Sequence, residues 1–239
     1  MKILIGNHKM NLTKDETINY INSIKNIANQ NMIIAPSNIY LSDFTLENIL
    51  TCSPDVSAHD KGAFTGEVSA NQLHSINVNY SLVGHSERRI NFNEKPSLLK
   101  QKINQCFNNN IIPILCVGET LEEKNTNKFT IMLKKEFDII FNEFNNKTII
   151  IAYEPVWSIG SGFIPTMDEI KNIHNFIKDY FYKNFNYDVK VVYGGSVNEN
   201  NTREILSINS VDGLLVGEVS LKVEKFLEIF KEVNKYNDK

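Results

Sequence analysis

Eight short runs rich in β-branched and apolar residues recur along the chain, and longer stretches with helical periodicity separate them. The runs cover residues 2–5, 32–35, 55–58, 80–83, 112–117, 148–153, 189–193 and 211–216. Strands that alternate with helices are typical of βαβ units and therefore of a parallel sheet. Eight such units predict an α/β protein with one closed (β/α)8 barrel over residues 1–239, and an open doubly wound sheet is the second possibility.

Two of the intervening stretches illustrate the helical pattern. The first has an isoleucine at every third position: Ile18, Ile21, Ile24 and Ile27. The last has an apolar stripe opposite lysine and glutamate residues: Val223, Phe226, Leu227, Phe230 and Val233. Both patterns predict helices that bury one face against a sheet.

The composition excludes several classes of protein. The chain of 239 residues is 42% hydrophobic and 22% charged, which is too apolar for a disordered protein. A net charge of −3, with both signs interspersed, indicates neither a nucleic-acid partner nor an anionic membrane. Every apolar run is shorter than the ~18 residues of a membrane span, and the first residues do not resemble a signal peptide. We expect a cytoplasmic protein with a small ligand, and three reduced cysteines.

Substrate-binding residues of such barrels lie where the strands end. The first run leads to Asn7 and Lys9, which strand alternation places on one face. The fourth leads to His85, directly before a serine that can cap a helix. An imidazole at a helix N-terminus is favoured in its neutral form. A solvated lysine and a structural histidine are the alternatives.

The sixth run ends at Glu154, which Pro155 holds in extended backbone at the barrel mouth, so this carboxylate is a candidate base. The apolar, glycine-punctuated stretch at 155–166 suits a lid that excludes water. Glycines at 194–195 before Ser196, together with Gly217, predict a phosphate cradle of backbone N–H groups. An ordinary surface loop and a tight turn are the alternatives.

Seven motifs follow one another along the chain: GN-K-MN, GAFTGE, GHSERR, CVGE, AYEPVW-IG-G, YGGSV and LLVG. In these motifs and in their order, the chain resembles the triosephosphate isomerase family over essentially its whole length. The resemblance implies a TIM barrel that interconverts dihydroxyacetone phosphate and D-glyceraldehyde 3-phosphate in glycolysis and gluconeogenesis. It also implies that the enzyme uses no metal or organic cofactor and forms a homodimer.

The resemblance further implies a role for each matching residue. Glu154 is then the base that moves a proton between two substrate carbons, and neutral His85 polarises the carbonyl. Lys9 contributes positive charge, Asn7 orients the substrate, and Glu87 belongs to the surrounding shell. Backbone N–H groups would bind the phosphate, from four residues: Gly160, Ser196, Gly217 and Glu218.

The chain departs from the family pattern in three places. Glu218 stands where glycine is usual, which brings a carboxylate near the phosphate. In the lid segment, Ser158, Ser161 and Phe163 replace the commoner Ala, Thr and Lys. The loop with Thr65, which in the family reaches the partner subunit, follows a shortened stretch at 58–62.

Two other functions remain open on sequence grounds. A pentose-phosphate epimerase also has a phosphate-binding barrel, but that class normally needs metal ligands that these strand ends do not supply. A catalytically inactive phosphate-binding barrel is the alternative outside enzymes. The joint presence of four residues, namely Asn7, Lys9, His85 and Glu154, favours an enzyme, since binding alone requires no base opposite an electrophile.

Overall fold

Eight parallel strands close into a barrel in the computed structural model, which describes residues 1–126, 128–143, 147–158 and 163–238. They are β1 (Ile3–Asn7), β2 (Met32–Ala35), β3 (Leu50–Ser53), β4 (Tyr80–Val83), β5 (Ile112–Val117), β6 (Ile150–Tyr153), β7 (Lys190–Tyr193) and β8 (Gly213–Val216). Each strand pairs with the next, and β1 closes the ring on β8 with Ile3 opposite Gly213. The predicted closed barrel is confirmed, and the open sheet is excluded.

The helices lie between the strands and surround the barrel. They are α1 (Lys14–Ile24), α2 (Leu41–Leu46), α3 (Ala70–Ser75), α4 (Ser86–Phe92), α5 (Pro96–Asn108), α6 (Leu121–Asn125), α7 (Phe129–Ile140), α8 (Met167–Phe185), α9 (Thr202–Ser207) and α10 (Val223–Asn237). None of these helices is long and apolar enough to cross a membrane.

Two apolar layers hold the barrel together. Inside it, buried side chains from successive strands meet, including Ile5, Ile33 and Ile114. Outside it, the helices pack on the sheet with large buried residues such as Phe137 and Phe226. A strand with apolar groups on both faces fits only between two such layers, which is why the runs are continuously apolar.

The predicted third strand was wrong. Residues 55–58 alternate apolar and polar as a strand does, but they form a loop, and the strand is Leu50–Ser53. The Asp55 carboxylate lies 2.7 Å from Lys102 Nζ and 2.8 Å from Arg88 Nε. Pro54 and this ion pairing end the strand before Asp55, because proline has no N–H for the sheet.

The prediction that the isoleucine row at residues 18–27 forms a buried helix face was only half right. The buried residues of α1 are Thr17, Tyr20, Ile21 and Ile24, whereas Ile18 and Ile27 are exposed. A step of three residues is shorter than a turn of about 3.6, so such a row drifts off the buried face. In α10 the predicted stripe is largely confirmed, since Phe226, Phe230 and Val233 are buried.

Candidate active site

A cavity of about 330 Å³ opens at the carboxyl ends of β1, β4, β6, β7 and β8. Its lining brings together seven of the nine residues singled out from the sequence: Asn7, Lys9, His85, Glu154, Ser196, Gly217 and Glu218. Glu87 does not line it, and Gly160 lies outside the described residues. Residues from distant parts of the sequence therefore meet at one rim of the barrel, as parallel strands require.

Strand β1 delivers Asn7 and Lys9 to this cavity. Asn7 is the last residue of β1 and is buried, and its Oδ1 accepts a hydrogen bond of 3.0 Å from the Lys9 N–H. Lys9 has a φ of 54°, an uncommon conformation for a residue with a side chain. A hydrogen bond of 2.9 Å from Ser37 Oγ to the Lys9 carbonyl helps hold this conformation. The strained backbone turns the lysine toward the cavity.

His85 precedes α4 and acts as its N-cap. Its Nδ1 accepts a hydrogen bond of 3.3 Å from the backbone N–H of Glu87, so the proton of the neutral ring lies on Nε2. That nitrogen lies 3.5 Å from Glu154 Oε1. The capping bond therefore aims an N–H donor at the cavity and at the carboxylate opposite.

Glu87 connects His85 with Lys9 at the edge of the cavity. One carboxylate oxygen lies 2.6 Å from Lys9 Nζ, and the other lies 3.7 Å from His85 Nδ1. The Glu87 side chain is 47% exposed, so it holds Lys9 from the solvent side. Its carboxylate therefore lies next to two residues of the cavity lining, Lys9 and His85.

Glu154 leaves β6 as a buried residue that is 4% exposed. Its backbone N–H donates to the Val117 carbonyl at 2.7 Å, which seats it on the end of β5. Its Oε2 has no partner among the described residues. A Cβ on Gly194 would come within 2.6 Å of Glu154 Cγ, so the close approach of the β7 turn requires glycine there. The buried carboxylate is thus held beside His85 with one oxygen available.

Backbone groups dominate the other end of the cavity. Ser196 follows the glycine pair after β7, and Gly217 and Glu218 follow β8. A short 3-10 turn over Glu218–Leu221 leads into α10, whose first turn faces the cavity with Lys222 and Lys225. Lys225 Nζ is hydrogen bonded to Glu199, and Glu218 is exposed. Lysines and main-chain N–H groups are the donors that proteins use to bind anions.

Glu119 has a structural role in the site that the sequence did not assign. It follows β5, it is 4% exposed, and its Oε1 accepts from Tyr153 Oη at 3.0 Å and from Trp157 Nε1 at 2.9 Å. Its carbonyl also accepts from the Val156 N–H at 2.9 Å. Burial raises the pKa of Glu119, although these donors act in the opposite direction. Its position directly after a buried strand was the available signal.

The Cys116 thiol is buried behind Glu154. Burial raises the pKa of this thiol well above its ordinary value, and the Glu154 carboxylate raises it further. A thiol with a raised pKa is a poor nucleophile. Cys116 therefore fills space beside the site.

Comparison with known proteins gives one consistent result. The family model described as triosephosphate isomerase matches residues 2–233. A triosephosphate isomerase of Orientia tsutsugamushi (strain Ikeda) is 41% identical, and the alignment covers 97% of this chain and 97% of the relative. Relatives of the same name from Mycoplasmopsis agalactiae and Francisella philomiragia are 38% and 34% identical; the alignments cover 95% and 98% of this chain, and 94% and 98% of the relatives.

Proposed function

Because the chain belongs to the triosephosphate isomerase family, we propose that its cavity interconverts dihydroxyacetone phosphate and D-glyceraldehyde 3-phosphate, a step of glycolysis and gluconeogenesis. The observation that carries the proposal is the pair of His85 Nε2 and Glu154 Oε1, 3.5 Å apart in one cavity. A base and a hydrogen-bond donor at this separation can contact the same three-carbon substrate.

Glu154 is the proposed base. It removes a proton from the carbon next to the substrate carbonyl, and the electron pair moves onto the carbonyl oxygen to form an enediolate. Glu154 then returns the proton to the neighbouring carbon, while the proton of the adjacent hydroxyl passes to the former carbonyl oxygen and a new carbonyl forms, so no other reactant is consumed. Its low exposure supports this role, because a carboxylate shielded from water transfers protons to bound substrate rather than to solvent.

His85 and Lys9 are proposed to stabilise the enediolate. The His85 Nε2–H donates to the oxygen on which charge develops, and one such donor is typically worth ~10²- to 10³-fold in rate. Lys9 Nζ supplies positive charge beside the substrate, and Asn7 and Glu87 fix the position of Lys9. These groups are in place before the reaction, which is the condition for electrostatic catalysis.

The substrate phosphate is proposed to bind the N–H groups of Ser196, Gly217 and Glu218. The sequence also predicts Gly160 as a phosphate ligand, and the segment 155–166 as the lid that keeps water from the enediolate. Support comes from the position of the two turns and of the first turn of α10 on the same cavity as His85. Glu218 is exposed and lines the cavity, in line with a backbone contact to the phosphate.

The homodimer is also a proposal. Residues 59–67, which include Thr65, form a continuous exposed stretch between β3 and α3. Met10 and Ile39, which lie on the loops after β1 and β2, are 95% and 78% exposed. Apolar residues of this size are covered in a symmetric dimer. A particle of about 27.4 kDa with full activity at micromolar concentration in a sedimentation experiment would contradict the dimer.

An inactive phosphate-binding barrel is not favoured, because phosphate binding alone requires neither a buried carboxylate nor an imidazole donor. We place the activity in the cytoplasm, in line with the sequence-based expectation.

The test is an assay of the purified protein with D-glyceraldehyde 3-phosphate in the presence of a chelator. We expect formation of dihydroxyacetone phosphate, and a fall in kcat of roughly 10²-fold for Glu154→Asp, which withdraws the carboxylate by one methylene. The exposed Glu122→Gln serves as the control and should retain full activity. Wild-type protein without isomerase activity, or a Glu154→Asp variant as fast as wild type, would contradict the proposal.

A further inference from the structure

Ser158 joins the two described ends of the segment 155–166. Its side chain is fully buried at the end of the short 3-10 turn Val156–Ser158. The Ser158 hydroxyl donates a hydrogen bond of 2.7 Å to the Phe163 carbonyl. One side chain therefore holds together the point where the segment leaves β6 and the point from which it runs toward α8.

The same residue also contacts the turn that follows β7. Ser158 Oγ accepts a hydrogen bond of 3.3 Å from the Ser196 N–H, and the Ser158 carbonyl accepts one of 2.5 Å from Ser196 Oγ. A Cβ on Gly195 would lie 3.0 Å from Ser158 Oγ and 2.1 Å from Tyr193 Oη. The turn can approach Ser158 this closely because residue 195 is glycine.

A buried phenol completes the surroundings of this hydroxyl. Burial raises the pKa of Tyr193 to about 12, and a hydrogen-bonding contact with Ser158 acts in the opposite direction. A hydroxyl at position 158 therefore meets polar groups from two parts of the chain, the Phe163 carbonyl and the turn at residues 193–196. Alanine, the commoner residue at this position in the family, has no hydroxyl and cannot make these hydrogen bonds.

We propose that Ser158 is a positioning residue for the phosphate half of the reaction, an inference that rests on the proposed function. Its hydroxyl orients the Ser196 N–H, which is one of the groups assigned to the phosphate. A phosphate dianion is a stronger acceptor than a neutral hydroxyl and takes over this N–H when substrate binds. The shorter bond from Ser158 to Phe163 persists, so phosphate binding is coupled to the stems of the segment 155–166.

The test compares a substrate that carries the phosphate with one that lacks it. For wild type, Ser158→Ala and Ser196→Ala, kcat/KM is measured for D-glyceraldehyde 3-phosphate and for D-glyceraldehyde, the latter by deuterium incorporation in D₂O. We expect Ser158→Ala to lose roughly tenfold or more with the phosphorylated substrate, and at least five times less with the truncated one. Equal losses on both substrates, or no loss on either, would overturn the proposal.

Ser210→Ala is the matched control, because Ser210 is also buried and its hydroxyl has no partner in the described part of the chain. It should behave as wild type with both substrates. Ser158→Ala removes the acceptor of the Ser196 N–H, and Ser196→Ala removes the donor to the Ser158 carbonyl. Both bonds hold the same junction, so the double variant Ser158→Ala/Ser196→Ala should lose less than the product of the single losses. Fully multiplicative losses would show that the two serines act separately, against the proposal.

A second readout uses Trp157, the only tryptophan of the chain and the neighbour of Ser158. Saturation with inorganic phosphate should change its emission in wild type and much less in Ser158→Ala. If Ser158→Ala does not fold, the same emission change and the same substrate ratio are measured on Ser158→Cys, whose thiol has nearly the same size but is a weak donor and acceptor, and wild-type behaviour there overturns the proposal. Wild-type protein without isomerase activity contradicts the proposed function instead, before any variant is compared.

Discussion

The two ends of the cavity are built in different ways. At the end to which we assign proton transfer, called the proton-transfer end and defined by Asn7, Lys9, His85 and Glu154, the side chains form the site, and each is held by contacts with its neighbours. At the anion end, defined by Ser196, Gly217 and Glu218, the main chain forms it, and Glu218 points to solvent. Side-chain chemistry depends on residue identity, whereas main-chain chemistry depends on the path of the backbone. The first end should therefore tolerate few substitutions, and the second should tolerate more.

The largest expected effect is at the proton-transfer end. His85→Gln replaces the imidazole Nε2–H donor with the amide donor of a more flexible side chain, and we expect kcat to fall by roughly 10²- to 10³-fold while KM changes little. The exposed helical His74→Gln is the matched control and should keep full activity. Steady-state kinetics of both variants make the comparison. A His85→Gln variant within threefold of wild type would mean that residue identity matters less here than we infer.

A methyl group on Gly194 tests whether Glu154 needs its position. The new Cβ would lie 2.6 Å from Glu154 Cγ, so Gly194→Ala must displace the carboxylate. We expect kcat to fall by about 10- to 100-fold, because small displacements of a catalytic group are costly. The inhibition constant of inorganic phosphate should stay close to that of wild type. A larger change in that inhibition constant than in kcat would show that the two ends of the cavity do not act separately.

Acid should lower the stability of the folded protein through His8, which lies between Asn7 and Lys9 at the proton-transfer end and is 1% exposed. Burial lowers the pKa of His8 from 6.5 to about 4, so the unfolded chain binds more protons between these values. The free energy of unfolding of the protein therefore falls as the pH falls from 6.5 to 4, by up to about 3 kcal/mol, because folding keeps His8 neutral. His8→Phe removes this dependence. Urea unfolding at pH 7 and pH 4 measures it, and an equal loss for both proteins would contradict the assignment.

The smallest expected effect is at the anion end. Glu218→Gly removes a carboxylate near the proposed phosphate site, and we expect KM to fall by about two- to threefold at low ionic strength. Glu218→Gln removes the charge but keeps a side chain, so it should give the same result. Salt should abolish the difference between these variants and wild type. A KM that is the same for all three proteins at every salt concentration would show that the Glu218 charge does not reach the phosphate.

The contrast between the two ends also explains what the sequence could and could not predict. His85 and Glu154 were identifiable because each follows an apolar strand and has a residue type suited to proton transfer. Ser158 and Glu119 were not assigned their contacts, because those contacts depend on the approach of loops from different strands. The third strand was misplaced because Leu50–Ser53 includes polar residues that are nevertheless buried. The alternation of apolar and polar residues along the sequence does not reveal that burial.

The three thiols make the native chain a convenient background for site-specific labelling. Cys52, Cys106 and Cys116 are all buried, and burial raises the pKa of each, to about 12 for Cys106. Maleimides and iodoacetamides react with exposed thiolates, so the three native thiols should not react with these reagents in the folded protein. A single cysteine placed on the surface would then carry a fluorophore or spin label without removal of any native one.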